Sequence, residues 1–273
     1  MSSADTGNFA AASVAEIYRE LLEPAIFQPW AERLLDAVDV APGMVVADVA
    51  AGTGVVARLA ARRVGPGGRV IATDISPGML AQVTAAAEAG AGAVEVVECS
   101  ATELRIPDAS VDAVFCQQGL QFIRERERVV AEMRRILRVD GVAGIAVWQP
   151  GGRLEPFDTY ADALEAAGVP EPFPHAYEKH HFTIPAEQLT ALLEGAGFVD
   201  VTARPHRLDL RWPSVEIAAR GMMGTPYGPS VAELAESARE TLFQWLRERM
   251  SGPGSGPAPL IMAAVIGTGV AAG

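Results

Sequence analysis

The residues best placed to do chemistry are Asp48-Val49-Ala50-Ala51-Gly52-Thr53-Gly54, with Asp74 twenty positions further on. Glycines at 52 and 54 let backbone approach a ligand closely, because no Cβ stands in the way. An apolar block, Met44-Val45-Val46-Ala47, precedes them, and Val55 to Arg63 continues with a helical pattern. The glycines therefore occupy a strand-to-helix turn, a place suited to an adenosine-containing cofactor. Asp74 closes a second apolar run, Arg69-Val70-Ile71-Ala72-Thr73. A carboxylate there can accept hydrogen bonds from both hydroxyls of a ribose.

Two features separate the possible cofactors. A dinucleotide fingerprint needs a third glycine at the helix start, where Val55, Val56 and Ala57 stand instead. Asp48 points the same way, since a carboxylate beside the loop repels a pyrophosphate and suits an ammonium or sulfonium cation. A cofactor without phosphates has no need of the anion site at the helix N-terminus.

The elements that must position these residues follow a strand–helix alternation. Strands are predicted near 45–49, 69–74, 94–99, 111–116 and 141–148, with helices near 55–63, 77–89 and 123–138. Such alternation implies right-handed crossovers and a parallel sheet covered on both faces. Ser76-Pro77 supplies an N-cap and a proline at the first helical position, and Asp140-Gly141 reads as a turn into a strand. Upstream, Ala12 to Val38 reads as helix broken by Pro24 and Pro29. Beyond Trp148 comes a helix-poor stretch with Pro156, Pro170, Pro172, Pro174 and Pro185, then a helix at 186–196 and a strand near 198–206. Helical pieces near 214–223 and 229–250 and a flexible Gly252–Pro257 connection lead to a final strand.

Composition bounds the function. With 273 residues, 49% hydrophobic and 21% charged, the chain can bury a sizeable core. A formal charge of −12 argues against a nucleic-acid partner. Cys99 and Cys116 are the two cysteines, each at the end of a predicted interior strand, and no metal-ligand spacing involves them. The first eight residues carry neither a basic region nor an apolar run, so no signal peptide is expected. The apolar run 259–267 is far shorter than the ~20 residues of a membrane helix. The expectation is a cytoplasmic protein, monomer or homodimer, without a membrane partner.

The segment from Val45 to Trp148 resembles the class I S-adenosylmethionine-dependent methyltransferases, in particular the ubiquinone/menaquinone-biosynthesis and natural-product group. The matching pieces are Asp48-Val-Ala-Ala-Gly-Thr-Gly54, Asp74-Ile-Ser-Pro-Gly-Met-Leu80, Leu104-Arg-Ile-Pro-Asp-Ala-Ser-Val-Asp112, Phe115-Cys-Gln-Gln-Gly-Leu-Gln-Phe122 and Glu132-Met-Arg-Arg-Ile-Leu-Arg-Val-Asp-Gly141. The resemblance implies an α/β, Rossmann-like fold: seven strands, mostly parallel, the last one (260–268) antiparallel, helices on both faces and a helical cap. It also implies one methyltransferase domain over 1–273, with a helical lid at 1–40, a cofactor-binding core at 41–149 and substrate-cap insertions at 150–185 and 207–257.

The cofactor implied is S-adenosyl-L-methionine. By resemblance Asp74 holds its ribose hydroxyls, Ile75 and Met79 lie beside the adenine, and Gly52 and Gly54 pass under the methionine and ribose portions. Gln117 would lie near the methionine moiety, Asp48 beside the cation and Ala50 in the loop. Tyr18 and Trp30 read as closing over the cofactor in an N-terminal lid, with core packing an equal reading of Trp30. One departure concerns the adenine. The family's Gly-Asp-Ala after the third strand is Cys99-Ser100-Ala101 here. Ser100 is shorter and neutral, so adenine recognition shifts toward a water or the backbone of Ala101. A second departure is Val139-Asp140-Gly141, where the family has a proline-glycine turn.

Methyl transfer needs an aligned nucleophile, water exclusion and, for a phenol or alcohol, a base. His175, His180 and His181 cluster in the predicted lid beside Tyr177, and His175 and His181 are the candidate catalytic residues, against a reading as exposed loop imidazoles. His206 reads as structural. Gln117, Gln118 and Gln121 form an amide-rich patch after the fourth strand, suited to hydrogen bonding a cofactor and substrate or to capping the next helix. Met222, Met223 and Tyr227 could line an apolar pocket or simply pack the core. The motifs of amino-methylating nucleic-acid enzymes, cytosine-C5 enzymes, serine hydrolases, phosphate-binding loops and Tyr-x-x-x-Lys dehydrogenases are all missing. The reading is transfer of a methyl group to a small-molecule acceptor, at oxygen, with carbon or nitrogen as alternatives. The competing readings are a pericyclase-like protein that binds the cofactor without methylating, and an NAD-dependent oxidoreductase.

Overall fold

Val45-Val46-Ala47-Asp48-Val49 is buried along almost its whole length, as a strand flanked by strands and covered on both faces must be. In the computed structural model, which describes residues 12–84, 92–151, 154–169, 182–253 and 256–273, this segment is β1 (Val45–Val49). It joins β2 (Arg69–Asp74), β3 (Ala93–Glu98), β4 (Val111–Gln117), β5 (Leu137–Trp148), β6 (Phe198–Leu210) and β7 (Leu260–Ala271) in a seven-stranded sheet. The order is β3-β2-β1-β4-β5-β7-β6. β1 pairs in parallel with both β2 and β4, and β7 runs antiparallel to β5. The chain thus turns back at the β1–β4 boundary. At such a switch point the connecting segments diverge and leave a crevice beyond the strand carboxyl ends.

The helices are α1 (Ala12–Ile17), α2 (Gln28–Asp36), α3 (Val55–Val64), α4 (Pro77–Thr84), α5 (Arg126–Ile136), α6 (Phe157–Ala166), α7 (Ala186–Gly195), α8 (Val215–Arg220), α9 (Gly228–Ala232) and α10 (Glu236–Met250). The chain divides into two compact units. One comprises Trp30–Pro150, His180–His206 and Ala263–Gly273, and the other Met1–Pro29, Gly151–Lys179 and Arg207–Met262. In the first unit Val114, Cys116, Met133, Ile145, Leu189 and Phe198 belong to one continuous buried cluster. In the second, Tyr160 is fully buried and its hydroxyl donates to the Ala218 carbonyl at 2.5 Å. Ser214 caps α8 by accepting from Ile217 N at 3.1 Å.

Several elements differ from their sequence expectation. Pro24 does not break the N-terminal helix. Tyr18–Phe27 is a π-helical stretch joining α1 to α2, closed by Gln28 N donating to the Glu23 carbonyl. The wider turn absorbs the proline, which has no N–H to give. Pro29 stands in the first turn of α2, where its missing N–H costs nothing. The proline-rich stretch after Trp148 contains α6, which starts directly after Pro156. Asp140-Gly141 is not a turn outside the strand. β5 begins at Leu137 and the register against β4 shifts between Val111 and Ala113, with Asp140 at φ 64°. A bulge of this kind re-aims a strand without ending it. Residues 214–250 form α8, a 3-10 turn at Gly221–Gly224, α9 and α10. Cys99 follows β3, which is an edge strand and not an interior one. No described helix is long and apolar enough to cross a membrane.

Candidate functional site

The loop after β1 is held open by backbone conformation. Ala50, Gly52 and Gly54 have φ of 55°, 55° and 86°, all in the left-handed region that disfavours a Cβ. Gly54 is the N-cap of α3, and a Cβ there would lie 2.7 Å from Val83 Cγ2 on α4. The helix therefore sits against α4 as closely as backbone permits. At Gly52 a Cβ would meet nothing within 4 Å, so glycine serves conformation there and leaves open space beside the loop.

Asp74 ties that loop to β2. Its Oδ2 accepts from Gly52 N at 2.9 Å and its Oδ1 from Ser76 N at 2.9 Å. The Ile75 N–H also bonds this carboxylate, which with about four acceptor positions keeps capacity for an outside donor. Ser76 Oγ accepts from Met79 N at 3.3 Å and so starts α4. Ile75, next to Asp74 in the chain, is 42% exposed, and Met79 is buried. Cys99 N donates to the Asp74 carbonyl, bringing Ser100 and Ala101 alongside. Ser100 Oγ lies 2.8 Å from Thr102 Oγ1 and accepts from Thr102 N at 3.2 Å, so its hydroxyl is engaged in its own turn. Thr102 is a residue that sequence reasoning misses; the Ser100-Ala101-Thr102 spacing is its one signal.

Asp48 sits behind the loop and not in it. The side chain is buried, and its Oδ2 accepts from Ala57 N in the first turn of α3 at 2.9 Å. Burial pushes this carboxyl up to about 7, helped by the nearby Asp74 and opposed by the Ala57 bond and Arg58. Asp74 is also raised by burial, against the pull of its backbone donors. The Cys116 thiol is pushed up to about 12, by burial first and then by Asp48, and is no nucleophile.

At the end of β4 the chain turns sharply through Gln118, which has φ 44° and donates its N–H to the Ala146 carbonyl. A Cβ on Gly119 would lie 2.7 Å from the Ala50 Cβ, so this turn abuts the glycine loop. Gln117 is half-buried at the strand end, in register with Ala146. Gln118 and Gln121 are buried, and Gln121 Oε1 accepts from Trp148 N at 3.1 Å. Trp30 is fully buried and meets Trp148 edge to face, with ring centroids 6.0 Å apart. Asp48, Ala50, Gly52, Gly54, Asp74, Ile75, Met79, Ser100, Ala101 and Gln117 thus all lie in one unit at the carboxyl ends of β1 to β4.

Other candidates fall elsewhere. Tyr18 belongs to the second unit, where it stacks on Phe27 at 4.7 Å. Met222 and Tyr227 are buried in that same unit. His206 Nδ1 lies 3.3 Å from an Arg33 guanidinium nitrogen, and burial with this cation lowers its pKa, which fits a structural role. His175, Tyr177, His180 and His181 lie outside the described residues.

The donor set discriminates between cofactors. A pyrophosphate needs free N–H groups at the start of α3, and Asp48 already takes that of Ala57 and adds a carboxylate. A ribose hydroxyl pair with an apolar base fits Asp74, Ile75 and Met79 without that site.

Comparison with known proteins agrees. A family model described as a methyltransferase domain matches residues 47–145. Nocamycin O-methyltransferase of Saccharothrix syringae is 35% identical over 201 residues, 70% of this chain and 71% of that protein. The ubiquinone/menaquinone biosynthesis C-methyltransferase UbiE of Bordetella avium is 31% identical over 169 residues, 62% of this chain and 59% of that protein. Among solved structures, Haemonchus contortus phosphoethanolamine N-methyltransferase 2, in complex with phosphomonomethylethanolamine and S-adenosylhomocysteine, shares the fold. Its TM-score is 0.58 at 17% identity, over 95% of this chain and 57% of that one.

Proposed function

Because the chain belongs to the class I S-adenosylmethionine-dependent methyltransferases and acts on a small molecule, we propose that its acceptor atom is an oxygen of a secondary metabolite or quinone-like compound. The observation that carries this reading is the similarity to nocamycin O-methyltransferase, which extends over 70% of the chain. When bound, the cofactor S-adenosylmethionine supplies a methyl carbon made electrophilic by its sulfonium.

The chain's own residues account for binding and orientation. Asp74 would accept from the ribose hydroxyls with the capacity left by Gly52 N, Ser76 N and Ile75 N. Ile75 and Met79 would cover the adenine, and the backbone of Ala101 would meet its edge, since the Ser100 hydroxyl is engaged with Thr102. Gly52, Gly54 and Ala50 form the floor, with Gln117 at the methionine end. Asp48 lends negative charge behind the loop to a cationic ligand. Met222 and Tyr227 are the proposed lining of an apolar acceptor pocket, Tyr18 a proposed cofactor contact, and His175 or His181 the proposed base.

Calorimetry with S-adenosylhomocysteine tests the cofactor site. Incubation with S-adenosylmethionine and a panel of phenols and hydroquinones, followed by NMR of any product, tests the acceptor. An O-methyl resonance supports the proposal. A C-methyl product supports the second reading, favoured by the likeness to UbiE. Cofactor binding with no homocysteine-containing product from any acceptor would point to a pericyclase-like role.

A further inference from the structure

We propose that Gln118 and Gln121 form a neutral, donor-rich site that takes the acceptor's phenolic or enolic oxygen as its anion. This rests on the O-methylation reading above. Gln118 is 5% exposed and Gln121 3%. Gln118 Oε1, Gln118 Nε2 and Gln121 Nε2 are buried with no hydrogen-bond partner among the described residues. Buried polar atoms are almost always paired, and those left over in a folded protein call for a ligand, an ordered water or a functional reason.

The orientation of Gln121 is settled by its contact with Trp148. Because Oε1 accepts from that backbone N–H, the end left over is the amide N–H2, a donor. Gln118 offers one donor end and one acceptor end whichever way its amide is turned. Two amide donor ends against one acceptor suit an electron-rich oxygen better than an ammonium. Gln118 is also held at φ 44°, a conformation that a non-glycine residue keeps only where its surroundings enforce it.

Placement supports the assignment. Gly119 packs on Ala50 of the glycine loop, so the turn that carries both glutamines abuts the proposed cofactor floor. Charged groups near the turn are of both signs. Arg126 on α5 donates to the Gln121 carbonyl at 3.3 Å, while Asp48 and Asp74 lie at the ends of β1 and β2. Donors fixed before the ligand arrives stabilise developing negative charge at oxygen. The acceptor's O–H proton then passes to bulk water, and the oxygen keeps both electrons of the broken bond. The proposed histidine base would relay that proton to water.

The test uses the full-length protein saturated with S-adenosylhomocysteine and 7-hydroxycoumarin as probe, because its phenol and phenolate absorb at different wavelengths. The expected result is a bound-probe pKa lower than that of the free probe by about one unit, a tenfold change in the acid–base ratio. Gln118→Met should abolish the shift while melting at or above the wild-type temperature, since it removes orphaned polar atoms at similar volume. Gln121→Glu keeps an acceptor for Trp148 N, replaces the donor by a charge, and should reverse the shift. S-adenosylhomocysteine affinity should stay within about twofold in both variants, the spread expected where no bond to it is lost. A probe that does not bind, or binds with an unshifted pKa, overturns the proposal. So does a Gln118→Met protein that melts well below wild type with the shift intact, which would make the amide structural. Loss of S-adenosylhomocysteine binding by the wild type, measured without probe, would instead overturn the methyltransferase reading on which the proposal rests.

Discussion

The Asp48 side chain accepts the backbone N–H of Ala57 at 2.9 Å, so the first turn of α3 meets a built-in acceptor. A helix start that would otherwise attract phosphate is thereby closed to it. The contact also leaves a buried carboxyl whose ionisation is opposed by desolvation.

That carboxyl sets a pH dependence. Its pKa of about 7 in the folded state lies above the ordinary 3.8, so the folded protein holds a proton that the unfolded chain has released between those values. Stability of the cofactor-free protein should therefore fall as pH rises from about 4 to about 7. Asp48→Asn keeps an acceptor for Ala57 and removes the charge. Urea unfolding at pH 5 and pH 8 should show the variant gaining on wild type at the higher pH by on the order of 2–4 kcal/mol. Parallel behaviour of the two proteins would show that Asp48 is not the responsible group.

Asp74→Ala should weaken S-adenosylhomocysteine binding by ~1–3 kcal/mol, the scale of lost charge-assisted bonds. Asp74→Asn retains one acceptor oxygen for Gly52 N or Ser76 N and should lose less. Titration calorimetry on both, with far-ultraviolet circular dichroism to check folding, decides the matter. Wild-type affinity in the alanine variant would remove Asp74 from the site.

Gly54→Ala meets two obstacles at once, a φ of 86° and a Cβ placed 2.7 Å from Val83 Cγ2. The left-handed conformation costs roughly 1–2 kcal/mol and the overpacking ~1–3 kcal/mol. Val83→Ala should relieve only the second. A thermal-unfolding cycle over the two single variants and the double variant measures the coupling, which vanishes if α3 and α4 do not pack at that point.

Arg135 on α5 donates to both oxygens of Glu132, to Asp108, and to the carbonyls of Leu104 and Ile106, while Glu132 accepts from Leu104 N at 2.8 Å. The guanidinium holds the Glu132 carboxyl below its usual range. Its stabilisation is present above the ordinary pKa of 4.5 and is lost as pH falls through the lowered one. Arg135→Lys preserves charge without the planar fork and should still cost ~1–2 kcal/mol in urea unfolding, more than a solvent-exposed ion pair contributes. A lysine variant as stable as wild type would show that charge alone suffices.

Strands β1 and β2, the glycine turn between β1 and α3, and the placement of Asp74 were all legible in the chain. Each depends on apolar runs and backbone demands confined to a few neighbouring residues, and such local rules survive without knowledge of the rest of the fold. The resemblance over Val45 to Trp148 was legible for the same reason. The sequence alone also determined that a third glycine is missing after Gly54, and with it the dinucleotide reading lost support.

Tertiary structure decided what Asp48, Ser100 and the glutamines do. Asp48 is turned to Ala57, nine residues on, and Ser100 to Thr102. Arg135 reaches back across 27 residues to Asp108, tying the Leu104–Asp112 and Glu132–Gly141 runs into one network that spacing alone did not reveal. Gln117, Gln118 and Gln121 read as one amide patch, yet only Gln121 is anchored to Trp148 and only Gln118 takes the left-handed turn. A hydrogen bond between distant residues depends on how strands and helices are brought together. Side-chain type therefore announces the capacity to bond, and packing alone chooses the partner.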